Sequence, residues 1–140
     1  MVSLGAGTPP WSSTPWRDFV TKHDVYWHPH DRPGSGWPRE PPELLGFRWA
    51  GRLQQIRTVE TVEVVLNLGD VLPELVHAEQ FPRRVYHLGE LIRLAHEVPT
   101  GRLWPSGRVW TDLDLLLTAH SVAEARDRTK ERAARRGAYG

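Results

Sequence analysis

His28-Pro29-His30-Asp31, with His23 upstream, is the cluster in this sequence best suited to chemistry. At the i, i+2 spacing of a strand, His28 and His30 point to one side and can bind a divalent metal, with Asp31 as third ligand or orienting group. A nuclease or hydrolase would use such a site to activate water. Against that, Pro29 and Pro33 put the cluster where a strand opens into a loop, and polar residues are expected there without any metal. His28 serves equally well as a stacking or hydrogen-bonding group in a ligand pocket.

A second set of residues is suited to recognition. Seven tryptophans in 140 residues is more than core packing usually demands, and Trp27, Trp37, Trp49, Trp104 and Trp110 lie in or beside segments that read as strands and hairpins. A rigid indole offers a large flat contact area for a nucleobase and loses little entropy in doing so. The same rings can instead fill a compact β-rich core. Arg48 and Arg52 bracket Trp49 and the Ala50-Gly51 turn, an arrangement that clamps phosphates while the indole stacks a base. The alternative is a pair of solvent-facing arginines on a hairpin whose Phe47 and Trp49 point inward. Arg102 and Arg108 pose the same choice around Trp104, on a hairpin tip where binding residues often sit.

The carboxylates are less informative. Asp112 and Asp114 are explained by helix capping and the helix dipole. Glu60 and Glu63 read as a solvated face or as partners of Arg52 and Arg57. There is no GxSxG elbow, no phosphate-binding Gly-Lys-Ser/Thr loop and no dinucleotide fingerprint, so those enzyme classes have no support.

Composition narrows the choice further. The chain has no cysteine, which excludes disulfides and thiolate metal sites and suits a reducing cytoplasm. No apolar run reaches membrane-spanning length, and the first residues lack the pattern of a signal peptide, so no membrane partner is expected. The net charge is only +1, but 16 of the 18 basic residues are arginine, and residues 121–140 carry six basic against three acidic side chains. Arginine presents a planar fork to phosphates and guanine edges. Nucleic acid would therefore be held at a local site rather than by bulk charge.

The elements that position these residues follow from pattern and punctuation. Residues 1–11, rich in Gly and Pro, are expected to be disordered. Ser12-Ser13-Thr14-Pro15 opens a short helix with Trp16, Phe19 and Val20 on one face. Residues 23–28 alternate as a strand, and residues 31–42 form a Pro/Gly loop. Residues 44–68 give the clearest β signal, with a turn at Ala50-Gly51, a bulge where alternation slips after Leu53, and one apolar face of Val62, Val64, Leu66 and Leu68. A helical turn broken by Pro73, a strand over 84–94 interrupted near Gly89, and a hairpin over 101–110 come next. A helix capped by Asp112 follows, and Ser121-Val122-Ala123-Glu124 is a capping box opening a charged helix. The expected class is α+β: a small, strongly curved sheet or pseudobarrel with a short N-terminal helix and C-terminal helices. Residues 12–125 form a single domain and residues 126–140 a charged helical tail.

Two stretches resemble the PUA-like superfamily of EVE, YTH and ASCH domains. Leu45-Gly46-Phe47-Arg48-Trp49-Ala50-Gly51-Arg52, continuing through Ile56, Val59 and residues 62–66, is similar to the long central β segment of such barrels. Val85-Tyr86-His87-Leu88-Gly89-Glu90-Leu91-Ile92, with Arg108-Val109-Trp110-Thr111 and the following helix, is similar to their closing strands and terminal helix. The resemblance implies a pseudobarrel reading RNA or modified DNA bases through an aromatic cage, with Trp27, Trp37 or Trp49 as walls. The lysine-rich approach of EVE and YTH domains is missing here, and the loop at 31–42 is unusual for them. The leading expectation is a non-enzymatic, cytoplasmic nucleic-acid-binding module of bacterial type. It would use Trp27, Trp37, Trp49, Trp104, Arg48, Arg52, Arg108 and His28, and would need no cofactor. The alternatives are a metal-assisted nuclease or hydrolase on His28, His30 and Asp31, and a protein-interaction subunit of a defence or toxin–antitoxin system.

Overall fold

The computed structural model describes residues 1–31, 37–103 and 108–139. Among them five strands, β1 (Val2–Ser3), β2 (Val25–Pro29), β3 (Leu44–Trp49), β4 (Arg52–Val65) and β5 (Arg83–Ile92), join in the order β1-β3-β4-β5-β2. The sheet is a strongly curled half-barrel. Three α-helices accompany it: α1 (Trp16–Thr21), α2 (Leu113–Thr118) and α3 (Val122–Tyr139). The fold is therefore α+β, as the sequence pattern implies. Among the described residues no helix is long and apolar enough to cross a membrane.

Backbone chemistry explains the strand order. Ala50 and Gly51 both take positive φ (51° and 77°), as a two-residue hairpin turn requires, so β3 returns directly as β4. β4 then runs unbroken for 14 residues, but its buried positions move from Leu53 to Ile56, where the alternation slips. β5 is not interrupted at Gly89. A Cβ there would clash with Thr58 Oγ1 and lie 2.8 Å from Glu60 Cγ, so the glycine permits close approach of β4. Gly89→Ala is expected to destabilise by about 1–2 kcal/mol, since both neighbours must move. A denaturant midpoint unchanged from wild type would show that the contact is not tight.

The chain divides into two compact units. The first comprises Met1–Leu4, Leu45–Ile56 and Leu91–Gly140. Here the structure corrects the expected disorder of residues 1–11. Val2 and Ser3 pair in parallel with Phe47 and Arg48, Met1, Val2 and Leu4 are buried, and the Met1 amino group donates to Val109 O at 2.9 Å. A parallel partner more than 40 residues away leaves no local sequence signal. Of the hairpin expected over 101–110, residues 104–107 lie outside the described set, and Arg108 makes an isolated antiparallel bridge to Val2.

The capping box at α3 is present with one shift. Ser121 Oγ accepts from Glu124 N at 3.1 Å, while Glu124 Oε2 accepts from His120 N rather than from Ser121 N. Asp112 occupies the N-cap position of α2 but makes no side-chain cap. Arg132 of α3 instead holds Asp112 at 3.0 Å and Asp114 bidentately at 2.9 Å, clasping α2 to α3. That guanidinium keeps the Asp114 carboxyl below its usual range.

The second unit comprises Gly5–Leu44 and Arg57–Glu90. Its core gathers Phe19, Val25, Trp27, Leu68, Leu75, Ala78 and Val85, with Trp11 and Trp16 packed against it. The 3-10 turns Leu68–Asp70 and Pro73–Leu75 bury one leucine each, Pro73 starting the second turn. Val64 and Leu66 are exposed and Val62 is half-buried, so of the apolar face expected over residues 62–68 only Leu68 is fully buried. Glu63 pairs with His87 rather than with an arginine, and Arg57 pairs with Asp24.

Candidate functional site

The β2–β5 ribbon of the second unit has two different faces. β2 and β5 pair antiparallel with Trp27 opposite Val85, Tyr26 opposite Tyr86 and His28 opposite Arg84. Because side chains alternate, Val25, Trp27 and Val85 share one face, and Tyr26, His28, Arg84 and Tyr86 share the other. The first face is the hydrophobic core. The second carries polar aromatic groups.

Trp27 therefore changes role. It is only 6% exposed and sits among Phe19 (4.9 Å, edge-on), Trp16 (5.6 Å) and Trp11 (6.3 Å). It is a core residue and not a wall of an aromatic cage.

Trp37 lies on the opposite face. Its ring stacks on the His28 imidazole at 3.9 Å and 10°, with Tyr86 at 5.6 Å and Tyr26 at 6.1 Å. Parallel overlap at this distance is the geometry of π stacking. His28 is 5% exposed and hydrogen-bonded at both nitrogens: Nδ1 to Pro29 O and Nε2 to Tyr86 Oη, each 2.8 Å. A carbonyl can only accept, so Nδ1 carries a proton, and in the neutral imidazole Nε2 accepts the hydrogen bond of the Tyr86 hydroxyl. Tyr86 is itself fully buried.

Arg84 fixes the segment that carries Trp37. It is buried, and its guanidinium donates to Pro38 O at 2.9 Å and Arg39 O at 3.1 Å. Two backbone anchors immediately after Trp37 set the indole over His28 and leave the Arg39 side chain exposed. Neighbouring Arg83 is buried against the Phe81 ring at 3.7 Å and donates to Glu79 O. Burial lowers its pKa, and the Glu79 charge opposes the shift.

The remaining sequence candidates separate from this group. His30 faces Asp31, Nε2 to Oδ2 at 3.0 Å, while both nitrogens of His28 are occupied within the aromatic cluster. Among the described residues no three His, Asp or Glu side chains form a group able to hold a metal ion. His28, His30 and Asp31 are thus not brought together as a ligand set. Trp49 is half-buried, and its carbonyl accepts from Gln54 at 2.8 Å. Arg48 is buried at 3% exposure, where desolvation lowers its pKa, so it neither clamps phosphate at the surface nor faces solvent. The N-terminal segment runs beside it: Ser3 pairs with Arg48, and Met1 Cε would lie 3.4 Å from a Cβ on Gly46, two residues earlier. Arg52 is exposed and paired with Glu97. Arg108 is exposed, and Trp104 lies outside the described residues.

Four residues of the cluster were not singled out by the sequence: Tyr26, Arg39, Arg84 and Tyr86. The register of β2 against β5 finds Tyr26, Arg84 and Tyr86, and Arg39 follows from the Arg84 hydrogen bonds to its segment. Comparison with protein-family models, with curated proteins and with solved structures gives no match.

Proposed function

We propose that this protein is a nucleic-acid-binding module that takes an unpaired base on the Trp37 ring, with Arg39 reaching the adjoining phosphate. The observation that carries this reading is the Trp37–His28 stack, held from behind by the Arg84 hydrogen bonds to Pro38 and Arg39. A ring fixed in this way is preorganised, so stacking a ligand on it costs little further ordering. Trp37 is half-exposed, which leaves indole surface for a second ring.

Base stacking on one aromatic side chain contributes about 1–3 kcal/mol. Trp37→Ala is therefore expected to weaken binding of short single-stranded DNA or RNA by roughly 5- to 150-fold, with Trp37→Phe retaining most of the affinity. Titration monitored by anisotropy of a labelled oligonucleotide gives the affinities, and circular dichroism checks the fold. An intact Trp37→Ala protein that binds like wild type would sink the proposal. Loss of binding with an abasic oligonucleotide, but not with Arg39→Ala alone, would assign the affinity to the ring rather than to the phosphate.

A further inference from the structure

We infer that α3 is a second contact surface and that it takes the sugar–phosphate backbone of a nucleic acid, making the ligand a polymer rather than a single nucleotide. The first half of α3 is seated: Val122 and Ala125 are buried, and Arg132 grips Asp112 and Asp114. The second half is not. Every residue from Ala133 to Gly137 is exposed, so the helix offers all its sides to solvent there. Ala133, Ala134 and Gly137 add only small side chains, and no large apolar residue from 133 to 137 is exposed to call for a protein partner.

Charge identifies the occupant. Residues 126–136 hold six basic side chains against two acidic ones. At 100° per residue, Arg128, Arg132, Arg135 and Arg136 fall on one stripe about 12 Å long. Arg128 is paired with Glu124 at 2.7 Å and Arg135 with Glu131 at 3.9 Å. Exposed pairs of this kind are worth little and can be exchanged for phosphate. Among the described residues Arg136 and Lys130 have no acidic partner. Arg132 is committed to Asp112 and Asp114, and the three cations left to the stripe are arginines, whose fork matches phosphate geometry and whose weak hydration favours transfer from water to an anion. An open groove of about 610 Å³ beside the first half of the helix is lined by Arg102, Arg126 and Arg128, together with Glu124, Asp127 and Glu131. It gives a strand room to continue past Arg128.

Naming the anion as nucleic acid rests on the proposed function, but the α3 contact is read independently of Trp37. The test replaces Arg128, Arg135 and Arg136 by Gln together, leaving Arg132 to hold α2. Affinity for a labelled single strand is measured against salt concentration, with an abasic strand and polyglutamate as competitors. The triple variant is expected to bind every sequence about tenfold or more weakly, with a salt slope smaller by about 2, as loss of three phosphate contacts requires. The corresponding triple Lys variant should keep most of the slope. An unchanged slope in the Gln variant overturns the proposal, as does polyglutamate competing as well as DNA. Failure of the ring site shows differently: Trp37→Ala would then leave the distinction between normal and abasic strands intact while the α3 variant still lost affinity.

Discussion

Trp27→Ala is expected to cost about 3–5 kcal/mol of folding stability, the range for removing a large aromatic side chain from a packed interior. The indole touches three other aromatic rings and lies within a core closed by Leu68, Leu75 and Val85. Because β2 is an edge strand and Trp11 and Trp16 lie in a loop and a six-residue helix, the cavity would be only partly refilled. For a chain of this size the loss corresponds to a fall in Tm of about 10–20 °C. Near-ultraviolet circular dichroism should lose much of its aromatic signal, since the coupled rings share one cluster. A variant with wild-type Tm that no longer bound oligonucleotide would return Trp27 to the binding site and contradict the core assignment. The contrast with Trp37→Ala is the informative one: neighbouring faces of one ribbon should separate stability from binding.

How far the site was legible follows from the same ribbon. The alternation of Val25, Tyr26, Trp27 and His28 told which residues share a face, because a strand leaves no other choice. It did not tell which face is the core. That depends on β5, whose Val85 sits opposite Trp27 and whose Arg84 and Tyr86 sit opposite His28 and Tyr26. The aromatic-cage resemblance made Trp27 a ligand wall, whereas its partners place it in the core. The turn at Ala50-Gly51 was readable because its cause is local. The burial of Arg48 was not, on a strand whose partner is Ser3, 45 positions earlier. Asp112 and Asp114 likewise carried helix-start chemistry in the sequence, and only the packing of α3 turned them into an acceptor pair for Arg132. Local rules thus found the elements, and long-range pairing decided what each side chain does.

The second large effect is expected at Arg57, where position and function meet. Its buried guanidinium donates to Gly89 O from both Nε (3.0 Å) and a terminal nitrogen (2.8 Å), to Val20 O at 3.1 Å, and to the Asp24 carboxylate. Those acceptors belong to the end of α1, the turn into β2 and the far part of β5. Arg57 therefore holds the entry to β2, and with it the register that places His28 under Trp37. Arg57→Met keeps much of the volume but leaves the Val20 and Gly89 carbonyls without these donors. At 1–3 kcal/mol for each buried acceptor left unsatisfied, a loss of about 2–4 kcal/mol is expected. Asp24→Asn removes only the more exposed part of the clasp, and should cost about 1 kcal/mol or less, as exposed ion pairs do. The asymmetry is the test, measured by urea denaturation of both variants. Equal losses would place the energy in the ion pair. A loss confined to Arg57→Met would place it in the carbonyl contacts, and hydrogen exchange should then show earlier opening of β2 than of β4. If Arg57→Met instead matched wild type in both stability and exchange, the entry to β2 would have to be held by its packing against α1 alone.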